Sequence, residues 1–189
     1  MMQWAAFLNL DHALFALTVL VTLIYFARHV RNLPVATRTN NSLRMDWFAA
    51  IARTPGSEVL GVQTIRNSLM ACTMTATTAT LAFMGGMTLS MNSRFFSKTM
   101  SEPSLLQFLN TFSVLFFLGL AFIASMIAAR NYHHAGFVAG MPVNSDERNH
   151  WQHHGQLALA KAGLFYSQSL RFMFWTVPFA LFYVHSILG

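Results

Sequence analysis

Charge is scarce in this chain. Asp, Glu, Lys and Arg make up 10% of its 189 residues, where a soluble domain carries about 25%. With 54% of the residues hydrophobic, an ordinary soluble domain is excluded. Acids are scarcer still. The six Asp and Glu are mostly scattered, too few for a bundle-type di-iron centre with its repeated Glu-x-x-His motifs. A single cysteine, Cys72, rules out an intrachain disulfide. Set among apolar and small residues, it reads as a buried, inert thiol. Also missing are a nucleophile elbow, a phosphate loop, a dinucleotide fingerprint and a nucleic-acid module. Gly85-Gly86 has no phosphate-loop context and reads as a close-packing site.

What is present is apolar sequence in four long stretches: His12 to Ala27, Ser68 to Met91, Phe108 to Ala129 and Leu164 to Leu188. The later three each offer the roughly 20 residues needed to cross a hydrocarbon layer about 30 Å thick. The first reaches that length if its helix begins near Phe7. The spans are then 7–27, 66–91, 108–129 and 164–188, and the expected fold is all-α: one domain, a four-helix transmembrane bundle with short cytoplasmic amphipathic helices. The leader before the first stretch carries Asp11 and no Lys or Arg, so the basic region of a cleaved signal is missing. Arg28-His29-Val30-Arg31 follows as a stop-transfer boundary, and the helix reads as retained.

The net charge of +6 follows topology rather than nucleic acid. Arg28, Arg31, Arg38, Arg44, Arg53 and Arg66 lie in or beside the first connection, and Arg130, Arg148 and Lys161 in or beside the third. The second holds only Arg94 and Lys98. Nine basic residues against two obey the positive-inside rule. The first and third connections are therefore expected in the cytoplasm and both termini outside, in the cell inner membrane.

The first connection carries structure of its own. Asn40-Asn41-Ser42 offers a cap for a helix from Leu43 to Arg53. Met45, Phe48, Ile51 and Ala52 share its apolar face, with Arg44, Asp46 and Arg53 away from it. Such a helix lies either in the headgroup region with Trp47 at the interface or over the bundle's mouth. Thr54-Pro55-Gly56-Ser57 reads as a turn, and Glu58 opens the next helix. In the second span Ser68, Cys72, Ala76 and Thr80 form one ridge of small residues and Ala71, Thr75 and Ala79 another. Ala82, Gly86 and Ser90 continue the pattern, and Ala121, Ser125 and Ala129 repeat it in the third span. Small residues let membrane helices approach closely, so the second helix is expected to have protein on most sides. The fourth span is bulky with Phe172, Phe174, Trp175, Phe179, Phe182 and Tyr183. Pro178 should kink it and free the carbonyl of Phe174.

Arg66 and Arg171 are the leading candidates for function, because a guanidinium at a span end must face protein, water or the interface. Together they could form an anion-attracting vestibule, or each could pair with Asp46 or Glu58. Snorkelling to lipid phosphates is the plainer alternative. Asn67 could orient Arg66. Below it, Arg66, Met70, Thr73, Thr77, Thr80 and Met84 form a stripe that resembles a polar path, although such threonines often bond to their own backbone. Asp11, His12 and His185 gather toward the outer side as a possible proton-handling trio, with Asp11 also a plausible N-cap.

Five of the eight histidines fall between His133 and His154. On a helix starting near Ser145, Glu147, His150 and His154 share a face with His153 beside them, and His133 and His134 precede. Imidazoles and a carboxylate at that spacing can hold a transition metal or haem. Without an HExxH pattern or a cysteine partner, the same residues also suit a capped pre-membrane helix with its histidines and Trp151 at the headgroups.

Val62-Gln63-Thr64-Ile65-Arg66-Asn67-Ser68-Leu69-Met70-Ala71, preceded by the Trp47 segment, resembles the membrane family known as domain of unknown function 599. Arg94-Phe95-Phe96, Arg130-Asn131-Tyr132 with the histidines, and Arg171-Phe172 with Pro178 extend the likeness over most of the chain. It implies a multi-span membrane protein and brings no activity, cofactor or catalytic residue. His150-Trp151-Gln152-His153-His154 matches no pattern of that family. Three functions are therefore weighed: a small oligomeric channel or transporter with Arg66, Asn67, Thr73, Thr77, Thr80 and Arg171 along its path, a non-catalytic accessory or scaffold subunit of a membrane complex, and a metal- or haem-binding protein. No catalytic residue and no cofactor is expected under the first two. The partners expected are the lipid bilayer and a homo-oligomer or larger membrane complex, not nucleic acid.

Overall fold

A computed structural model describes the backbone of residues 2–31, 34–96 and 105–188, and the side chains of 12–29, 34–91 and 105–181. Among them are five helices and no strand: α1 Met2–Arg31, α2 Val35–Arg53, α3 Glu58–Phe96, α4 Leu105–Ala139 and α5 Asp146–Leu188. At 1.5 Å per residue, the 43 residues of α5 run for about 65 Å.

Local chemistry sets the helix ends. Gly56 takes φ 82° in the turn before α3, where a residue without a Cβ adopts the left-handed region at no cost. Glu58 then begins α3, and Asp146 and Glu147 open α5, acids placed at the positive ends of helix dipoles. Ser145 caps α5, its Oγ accepting the Arg148 amide at 3.2 Å. The cap expected at Asn40-Asn41-Ser42 is overturned. Helix α2 begins at Val35, and the Pro34 carbonyl accepts the amides of Thr37 and Arg38 at 2.9 and 3.2 Å. Pro34 supplies a preset φ before the first turn, so the helix starts two turns earlier.

Helix α4 is the spine. Ala121, Ala124, Ser125, Ala128, Ala129, Ala135 and Ala139 are buried along it, and small side chains let α3 and α5 pack closely against it on two sides. The tightest core lies where α2 joins them, around Phe48, Ile51, Ile65, Cys72, Tyr132, Val138, Leu159 and Ala162. Phe48, Ile51 and Ala52 are buried, so α2 is packed onto the bundle rather than lying apart from it. Helix α1 leans on α5 through aromatic contacts. Phe15 meets Phe179 edge-on at 6.1 Å, and Phe26 stacks on Phe172 at 5.5 Å.

One sequence expectation changes here. Helix α3 sits at the bundle's edge: Ile65, Cys72, Ala76 and Ala79 are buried, while Met70, Met74, Leu81, Met84 and Leu89 on other faces are exposed. Its small residues serve chiefly one neighbour, α4. Helix α5 runs through Pro178 as one element. Beside it, Asn110 Nδ2 donates to the Phe179 carbonyl at 2.9 Å. Among the described residues, two helices are long and apolar enough to cross a membrane, α1 over His12–His29 and α4 over Leu105–Ala139, with mean hydropathy 1.4 and 2.4.

Candidate functional site

Helix α2 runs antiparallel along α5, and one stripe of its residues makes the contact. Thr37, Arg44 and Phe48 recur at helical spacing and meet Arg171, Gly163 and Gly155 in turn. The glycines are notches. A Cβ at Gly155 would lie 2.6 Å from Phe48 Cζ, one at Gly163 would run into the Arg44 guanidinium, and one at Gly61 would lie 2.8 Å from Ile51 Cδ1. Arg44, placed by periodicity on the polar side of α2, is turned inward over the Gly163 backbone. Its Nη1 donates to Asn41 Oδ1 at 3.3 Å, and its charge reaches the buried Tyr132 hydroxyl.

Two turns from Arg44 toward the start of α2, three helices converge on Arg171. Its Nη1 lies 2.9 Å from Nδ1 and 2.6 Å from Nε2 of His29 on α1, and its Nη2 donates to Thr37 Oγ1 at 3.2 Å. Gln168, one turn away on α5, also contacts His29 Nε2. His29 and Thr37 are buried and Arg171 is half-buried. Among the described residues, no hydrogen bond of Arg171 or Arg44 goes to a carboxylate. The pairings with Asp46 or Glu58 are not made. This corner is therefore cationic among the described residues, its partners neutral groups that hydrogen-bond the guanidinium without balancing its charge.

A second polar junction ties three helix ends together. Arg148 is 1% exposed, and its Nη1 donates to the carbonyl of Ala139 at 2.8 Å and also to that of Met141. It thus caps the C-terminus of α4, where a cation meets the negative end of the dipole. Glu58 Oε1 accepts the Val143 amide at 3.1 Å. Hydrogen bonds from its own amide and from Val143 hold its carboxyl below the usual range, and burial lowers Arg148 while Glu58 offsets part of that. The topological count took Arg148 for a loop charge. It is an internal fastener.

Other candidates are placed differently. Arg66 and Asn67 are exposed on α3, and neither is among the hydrogen-bond partners of Arg171. Thr73, Thr77 and Thr80 donate to the carbonyls of Met70, Thr73 and Ala76 at 2.8, 3.0 and 2.9 Å. With Ala76, Leu81, Phe122 and Met126 they line an open groove of about 320 Å³ on the α3–α4 flank. Glu147, His150, His153, His154, His133 and His134 are all exposed. His153 and His154 rings lie 6.4 Å apart, and Trp151 packs against His150 and His154. Among the described residues, no group of three His, Cys, Asp or Glu is placed to hold a metal. Helical spacing aligned these side chains, but no second element faces them. Of the outer trio, the side chains of Asp11 and His185 lie outside the described residues, as do those of Arg94 and Lys98.

Sequence reasoning missed His29, Thr37, Gln168 and Arg44. The i, i+3 pair of Gln168 and Arg171 was a readable signal of one polar face, whereas His29 and Thr37 reach it only through tertiary packing. The arrangement defines a class: an all-helical protein with helices able to cross a membrane and a buried cationic corner. The chain belongs to the family described as Protein of unknown function, DUF599, whose model matches residues 12–189. No curated protein and no solved structure matches it.

Proposed function

We propose that this is a four-span integral protein of the inner membrane, both termini outside the cytoplasm, acting as a non-catalytic scaffold or accessory subunit. Support for four spans comes from the exterior of α3 and α5, where Met74, Leu81, Leu89, Phe174, Val177 and Leu181 are exposed. An apolar surface of that extent suits lipid better than water. Arg28, Arg38, Arg53, Arg66, Arg130 and Lys161 are exposed around the α2 end, consistent with a cytoplasmic platform.

The observation that carries the scaffold reading is the filled interior. Ser125 and Ser169 Oγ atoms lie 2.6 Å apart, and Ser169 Oγ also lies 2.8 Å from the Ala121 carbonyl. Phe117 stacks on Phe26 and Phe179 at 6.1 and 5.7 Å. A single chain so packed offers its polar groups to each other, not to a permeant. Reconstituted alone into proteoliposomes, the protein should conduct K⁺, Cl⁻ and protons no faster than empty vesicles. Flux above that background, lost in Arg171→Gln, would overturn the reading.

A channel or transporter built between copies is the second reading, favoured by the lateral threonine groove on α3 and α4. It requires an oligomer in mild detergent and slower flux in Thr77→Val. A monomer without flux excludes it.

A further inference from the structure

We propose that the α1–α2–α5 corner binds a phosphate group at the inner face of the membrane, with Arg171 as its principal donor. The inference rests on the four-span topology above but not on the scaffold role. A guanidinium offers five N–H donors. Among the described residues, Arg171 spends Nη1 and Nη2 on the neutral partners His29 and Thr37. None of the described carboxylates answers its charge, and a half-buried cation without a counter-ion is costly. The exposed Arg28 and Arg38 sit one residue from His29 and Thr37, adding two cations on the adjoining faces of α1 and α2.

Depth favours an ester at the interface. Arg171 contacts His29, the last residue of the apolar window of α1, and so lies at the level where that span meets the headgroups. Basic pockets between helices on that side suit anionic headgroups, and a planar guanidinium matches two phosphate oxygens. The shared chemistry is a phosphate oxyanion, carried by an anionic phospholipid or free in the cytosol.

The test uses the full-length protein in mild detergent, with lipid retention read by native mass spectrometry and melting temperature read in parallel. Wild type should retain phosphatidylglycerol about tenfold more than diacylglycerol, which carries no phosphate. Arg171→Gln should lose about tenfold of that retention, the worth of one charge-assisted hydrogen bond. Thr37→Val and Arg38→Gln, which spare the buried arginine, should each lose a few-fold and keep the melting temperature. Exposed Arg66→Gln should lose nothing. Inorganic phosphate raising the melting temperature of wild type but not of Arg171→Gln, with no lipid preference, would assign the site to free phosphate. Equal retention of both lipids with no phosphate effect overturns the proposal, as does equal loss in Arg66→Gln. Should Arg171→Gln fail to fold, Thr37→Val and Arg38→Gln decide: unchanged retention in both refutes the site. Reporter fusions at the termini test the topology separately.

Discussion

Replacing Gly155 by alanine should destabilise the protein even though alanine is the better helix former. In an exposed helix the exchange gains about 1 kcal/mol. At Gly155 the new methyl would lie 2.6 Å from Phe48 Cζ and 2.9 Å from Val138 Cγ1. Ordinary contact begins at 3.4 Å, so the Phe48 ring must retreat by most of an ångström. It has nowhere to go, being 0% exposed in the core between α2, α4 and α5. Overpacking costs about 1–3 kcal/mol, and with the ring held on all sides the upper half of that range applies; less the propensity gain, a net loss of about 1–2 kcal/mol is expected. Gly119, also within a helix, has nothing within 4 Å of the added methyl, and its alanine variant should gain up to about 1 kcal/mol. The assay is the unfolding midpoint in mild detergent for both variants and for Gly155→Ala combined with Phe48→Leu. The double variant should lose less than the sum of the singles, because leucine vacates the contested space. Equal signs at Gly155 and Gly119, or additive losses in the pair, would refute the notch.

Three further outcomes are expected. Glu58 has its folded pKa below the ordinary 4.5 through bonds from its own amide and that of Val143, so its contribution is present above the unfolded pKa and is lost as pH falls through the folded one. The gap in melting temperature between wild type and Glu58→Gln should therefore shrink below about pH 4.5, and a gap independent of pH would contradict the assignment. Ser169→Ala removes the contacts of its Oγ with Ser125 and the Ala121 carbonyl and should cost about 1 kcal/mol in the same unfolding assay. A stability equal to wild type would show those contacts to be idle. Cys72, buried at 0% exposure, should resist a membrane-permeant maleimide until the protein unfolds. Rapid labelling of the folded protein would place it elsewhere.

Particular residues show how far the chain could be read in advance. Phe48, Ile51 and Ala52 were legible as one apolar face because a 3.6-residue period is written in the order of residues. Glu58 and the Ser145-Asp146-Glu147 start were legible because helix ends demand specific local chemistry. Arg171 was singled out because a charge inside an apolar run must find a partner. The identity of that partner was not readable. His29 lies 142 positions away and Thr37 134, and no local rule links them. Arg44 and Arg148 misled for a related reason: a basic residue on a polar helix face looks solvated until a notch at Gly163 or the carbonyl of Ala139 draws it inward.

Composition and periodicity, which act over a few turns, thus settled the helical class, the apolar runs and several helix starts. Packing between distant segments decided which arginines are buried, which small residues meet α4, and why the histidines stay apart. The reason is physical. A helix's shape depends on its own backbone bonds, whereas burial of a charge depends on what other helices bring to it.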